Sequence, residues 1–120
     1  VNFIDQFRHM KIGKEEIILL ENLYEEGKKI PDRALFMSVI FQALLDATKP
    51  KKQNESRNIE LQRDQASAWF AASVGVTCEN FEIVCSYAGL SSKYVRIFAS
   101  HVINSDEKDF VRNKIIKMLG

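Results

Sequence analysis

The chain has 120 residues, 46% of them hydrophobic, with 17 Lys and Arg against 16 Asp and Glu for a formal net charge of +1. That composition excludes a disordered tail and gives no global basic charge of the kind that marks many nucleic-acid binders. The length predicts one domain over residues 1–120 with a proper core.

In chain order, Phe3, Ile4, Phe7 and Met10 fall at helical spacing. Residues 1–12 are therefore expected to form a short helix on the domain, or an arm that docks on a second copy. The chain starts at Val1 rather than Met, as a trimmed chain or a fragment would, and no signal-peptide pattern is read. Lys14–Glu26 reads as an amphipathic helix with Ile17, Leu20 and Tyr24 on one face and Leu19 and Leu23 beside it. Glu15, Glu16, Glu21, Glu25 and Glu26 form its solvated side, and Gly27 stops it.

Pro31 suits the first turn of the next helix. From Ala34 to Ala47 that helix is apolar almost all round, broken only by the stripe Ser38, Gln42 and Asp46. It is the expected central helix, or else half of a dimer interface. Whether the polar stripe lines a pocket or faces water is open at this point. The run is too short to span a bilayer, so no membrane association is expected.

Residues 48–58 form the clearest loop, containing KPKKQNESRN. Lys49, Lys51, Lys52 and Arg57 outweigh Glu55 there. The segment reads either as a solvated linker or as a flexible basic loop on phosphates. Ile59–Val74 is the next predicted helix, with Ala66, Trp69, Phe70, Ser73 and Val74 as its core face, small Ala68, Ala71 and Ala72 for close approach of another helix, and Gly75 as its end.

Thr77 is then the expected N-cap of a helix carrying Phe81, Val84, Cys85 and Ala88 on one face. Gly89 ends that helix, Leu90 fills the corner, and Ser91 or Ser92 caps a second helix with Tyr94, Val95 and Phe98 facing inward. His101–Ile103 continue it. Ser105 is the expected cap of a last helix, with Asp106 and Glu107 in its first turn, Phe110, Val111, Ile115, Met118 and Leu119 as its apolar side, and Lys114 and Lys117 toward its C-terminus.

Cys85, Gly89, Leu90 and Val95, with Ser91 after the corner, resemble the helix-turn-helix of DNA-binding proteins over residues 77–103. Cys85 departs from the Ala more usual at that position. The run RDQASAWFA followed by this motif is also similar to small proteins of bacteria and their prophages. The expected fold is all-α, a compact bundle of five to six helices containing the helix-turn-helix. The resemblance implies a cytoplasmic transcriptional regulator that binds double-stranded DNA as a homodimer. Two recognition helices about 34 Å apart would then enter successive major grooves. Ser91, Ser92, Lys93, Tyr94 and an outward-pointing Arg96 would touch base edges and phosphates, helped by Lys49, Lys51, Lys52 and Arg57. For Lys93 and Arg96 the plainer alternative is that they are solvated charges on an ordinary helix.

The near-neutral charge and the apolar helix at 34–47 support a reading from another class: a non-enzymatic interaction or assembly module, such as an adaptor or a phage packaging or accessory subunit. No phosphate-cradling glycine loop, HExxH or GxSxG occurs. Cys78 and Cys85, seven residues apart on one helix, are about 10 Å apart by helical rise and too distant for a disulfide. Neither cysteine pairs in sequence with His9 or His101 for zinc, so no metal, cofactor or enzymatic activity is expected.

Overall fold

The computed structural model describes residues 14–120. Six helices and no strand are formed there: α1 (Lys14–Gly27), α2 (Pro31–Ala47), α3 (Arg57–Ala71), α4 (Gly75–Ala88), α5 (Ser92–Ile103) and α6 (Lys108–Leu119). The all-α bundle expected from sequence is the fold observed. The arm expected over residues 1–12 lies outside the described residues.

The apolar periodicity of α2 has a direct structural counterpart, because α2 packs against all five other helices. Met37, Ile40, Phe41, Leu44 and Ala47 are buried. Leu20 and Tyr24 of α1, Phe70 of α3, Phe81, Val84 and Cys85 of α4, Val95, Phe98 and Val102 of α5, and Val111 and Ile115 of α6 close around them. Burial on these sides explains the apolar residues there, whereas Leu35 and Val39 on the outer face of α2 remain exposed.

Helix boundaries differ from the sequence expectation at α3, α4 and α6. α3 starts at Arg57 rather than Ile59, so Arg57 and Asn58 belong to the helix and not to the loop. α3 stops at Ala71 rather than Val74, and α4 starts at Gly75 rather than after Thr77. Gly75 has φ of +85°, which turns the chain into α4 three residues early. Val74 occupies the N-cap position without a side-chain cap bond, and Thr77 sits exposed in the first turn. Val74 is consequently exposed rather than part of the core, and Ala68 and Ala71 are exposed as well. α6 begins at Lys108, so Ser105 lies before it. The buried Ser105 hydroxyl instead accepts the Glu107 N–H at 2.9 Å, and Asp109 is the acidic residue of the first turn.

The α4–α5 corner matches the expectation in detail. Gly89 adopts φ 73° and ψ 25°. Its N–H donates to Ser86 O at 3.0 Å, and the Leu90 N–H donates to Cys85 O at 2.9 Å. This pair of bonds is a Schellman ending, and half-buried Leu90 packs on the core beside it. Ser91 is the residue that caps α5, its hydroxyl accepting from the Tyr94 N–H at 3.3 Å. A Cβ at Gly89 would stand 2.9 Å from the Arg33 guanidinium. Gly89→Ala should therefore lower stability by about 1–2 kcal/mol, mostly from the left-handed backbone because the Arg33 side chain can move. Urea unfolding checks this, and an unchanged midpoint would contradict it.

Candidate interaction surfaces

The residues singled out for DNA contact are not brought into one patch. Arg33 lies against Gly89, placing the N-terminal end of α2 beside the α4–α5 corner. Residues 48–56 leave from the other end of α2. Fifteen residues of helical rise separate Arg33 from Thr48, about 22 Å. The corner and the basic loop thus sit at opposite ends of the central helix.

At the corner, Lys93 is exposed and Ser92 is half-buried as the first residue of α5. Exposed Ser91 is engaged as the cap. Tyr94 is half-buried, its ring stacked on Phe98 with centroids 6.4 Å apart.

The outward orientation expected for Arg96 is corrected. Its guanidinium runs inward under the end of α3. Nε donates to Phe70 O at 3.2 Å, and Nη2 donates to Ala72 O at 3.0 Å and lies 3.8 Å from Cys78 Sγ. The same group sits 5.1 Å over the centre of the Phe81 ring. The last carbonyls of a helix lack intrahelical donors, and the Arg fork supplies them. Arg96 is thus the physical brace between α3 and the α4–α5 pair. Of the twelve residues of α5, only Lys93 is fully exposed.

The loop is likewise not free. Arg63, on the core side of α3 with Ala66 and Phe70, reaches back into it. Its Nε donates to Lys49 O at 3.0 Å and its Nη2 to Pro50 O at 3.4 Å, while both outer nitrogens engage the Glu55 carboxylate. The two side chains are only 8% and 14% exposed. Hydrogen bonding from Arg63 holds the Glu55 carboxyl below its usual range, against the opposing effect of desolvation. This replaces the flexible loop of the sequence expectation with a pinned one. Lys49 is half-buried, its Nζ 2.9 Å from Gln62 Oε1 and 3.8 Å from Asp46. Lys51 and Lys52 are exposed, and exposed Arg57 lies 3.6 Å from Glu60.

Arg112 repeats the device at the end of α2. Its guanidinium donates to Leu45 O and, at 3.0 Å, to Thr48 Oγ1. Three arginines therefore satisfy chain ends inside the fold, and their charge is not offered to a ligand. Sequence reasoning missed Arg63 and Arg112. The available signal was position: Arg63 falls at helical spacing between Ile59 and Phe70, where an apolar residue would be expected, with Glu55 two turns earlier.

A different surface is open. A cleft of about 660 Å³ runs along the outer face of α2. Leu35, Val39 and Ala43 form its apolar floor, and Ala66 and Trp69 of α3 form a wall. The stripe left open above is resolved here, since Ser38, Gln42 and Asp46 all line the cleft. Trp69 is half-buried rather than a core anchor. It packs edge-on against Phe70 and Phe81, and its indole N–H donates to Asn80 Oδ1 at 2.9 Å. Asn80 carries the surface onto α4, where Val76, Asn80, Ile83 and Tyr87 form one stripe. Leu35, Ile83 and Tyr87 are each more than half exposed, and Val76 is 81% exposed. Tyr87 stacks on Phe36 of α2 with centroids 5.0 Å apart, joining the two helices across this face.

Cys78 and Cys85 are free buried thiols, and burial pushes the Cys85 thiol up to about 11. His101 is buried. Among the described residues no three His, Cys, Asp or Glu side chains gather as metal ligands, and no helix is long and apolar enough to cross a membrane. Comparison with protein-family models, curated proteins and solved structures finds no match for this chain.

Proposed function

We propose that this chain is a non-enzymatic helical interaction module that binds a protein partner along α2 and the adjoining face of α4. The observation that carries the reading is the cleft itself: an open groove with an apolar floor, continued by large exposed side chains on α4. Contiguous exposed apolar surface of this kind marks interaction sites, and grooves between helices are a recurrent seat for an amphipathic helix.

DNA binding through the helix-turn-helix is the second reading, favoured by one observation. The Gly89–Ser91 corner has the backbone and capping geometry of the motif and leaves Lys93 exposed at the start of α5. On that reading the chain works as a homodimer, and Lys51, Lys52 and Arg57 touch the phosphate backbone apart from the corner.

Site-specific photo-crosslinking in cells separates the two. A photoreactive residue at Val39 is expected to yield discrete protein adducts, and one at Lys93 is not. Nucleic-acid adducts at Lys93 with none at Val39 would sink the interaction reading. In that case duplex affinity should fall steeply with salt and be lost on Lys93→Glu.

A further inference from the structure

Of the three helices that shape the cleft, α3 is the one the core holds least. Only Arg63 and Phe70 of α3 are buried, whereas α2 and α4 each bury five residues. Phe70 lies near the C-terminal end of α3, where its ring meets Trp69 and Phe81 and where Arg96 takes the Phe70 and Ala72 carbonyls. The other half is held differently. From Arg57 to Gln65 no apolar side chain is buried, and Ile59 and Leu61 are exposed. Its bonds to the end of α2 are polar. Arg63 donates to the Lys49 and Pro50 carbonyls, and the Lys49 ammonium lies 2.9 Å from Gln62 Oε1 and 3.8 Å from Asp46 Oδ1. Glu55, in the connecting loop, supplies the counter-charge to Arg63.

We infer that Arg57–Gln65 is a hinged jaw of the cleft, which swings from the end of α2 about the Phe70–Arg96 anchor and is latched by Arg63 and Glu55. The energetics favour opening at this end. Burying an ion pair takes both charges out of water, so closure gains little from the pair itself, and opening returns both groups to solvent. At the other end, opening would pull the Phe70 ring from its aromatic neighbours and strip two carbonyls of their donors. Gln62 and Gln65 line the cleft from the jaw, while Ala66 and Trp69 line it closer to the anchor. Opening therefore widens the cleft at its Asp46 end and leaves the Trp69 end in place. The hinge is independent of what the cleft takes up.

Nine residues of helix without a supporting face do not keep their own hydrogen bonds, so opening exposes the jaw amides to exchange with solvent. In native-state hydrogen exchange, the Leu61–Gln65 amides should exchange about tenfold or more faster than those of Phe70 and Ala71. Glu55→Gln keeps the shape of the side chain and removes its charge. Arg63→Lys keeps the charge and loses the fork that reaches two carbonyls and a carboxylate at once. Each substitution should speed exchange at Leu61–Gln65 by about a further factor of ten, and leave α2, α4 and α5 within about twofold of the parent. Equal protection along α3 in the parent would overturn the inference, because the wall would then be fixed. So would unchanged exchange at Leu61–Gln65 in both variants, or an acceleration spread evenly over all helices, which would make Arg63 and Glu55 a support of the whole bundle.

Discussion

Truncation of Phe81 to alanine is expected to lower stability by about 3–5 kcal/mol, the largest loss of any single substitution considered for this chain. Phe81 is fully buried. Its ring meets Trp69 edge-on at 4.9 Å and Phe70 at 5.9 Å, and it carries the Arg96 guanidinium over one face. The substitution therefore removes apolar burial and two aromatic contacts together, and takes the π-face from a cation. The cavity would open where α3, α4 and α5 converge, so collapse of one helix cannot fill it without disturbing the others. Phe81→Leu keeps most of the volume and should cost only about 1–2 kcal/mol. Urea unfolding followed by circular dichroism measures both. A loss below about 1.5 kcal/mol for the alanine variant would mean that this aromatic cluster is not the centre of the fold.

The parts of the molecule that were legible in the sequence are those governed by local rules. The Gly89 ending needs only a residue that accepts positive φ, followed by an apolar plug and a serine cap, and all three are contiguous. The burial of Met37, Ile40, Phe41 and Leu44 follows from the apolar composition of α2, although the same composition gave no sign that Leu35 and Val39 stay exposed. The parts that were not legible depend on contacts distant in sequence. Val74 falls at core spacing, yet it is exposed because α3 ends at Ala71 and Gly75 turns the chain into α4, with Arg96 of α5 satisfying the carbonyls of Phe70 and Ala72 left at that end. The basic loop has a linker's composition, but Arg63 on the next helix pins it. Arg96 looked outward because Val95 and Phe98 point inward, and a helical wheel assigns a direction to Cβ only. A long side chain can turn back beneath a neighbouring helix end. The cleft was half legible: the Ser38, Gln42 and Asp46 stripe was visible, but its facing wall, Ala66 and Trp69, comes from α3.

Replacement of Arg96 by alanine should cost about 2–4 kcal/mol, because two carbonyls at the end of α3 lose charge-assisted donors and Phe81 loses its cation. The consequence for function is direct. Loss of DNA binding on Arg96→Ala would prove nothing, since the variant loosens the corner that presents α5. Arg96→Lys separates the roles. Lysine keeps the charge and could still meet a phosphate, but its single ammonium cannot fork between Phe70 O and Ala72 O while lying over the ring. As a clamp, Arg96→Lys should retain at most about half of the lost stability. As a solvent-facing groove residue, both substitutions should leave stability within about 0.5 kcal/mol of the parent. Hydrogen exchange adds the location of the effect. Amides at the C-terminal end of α3 and the N-terminal turn of α4 should lose protection first in both variants, while α6 holds. Unchanged exchange at Phe70–Cys78 would show that Arg96 is not the brace between these helices.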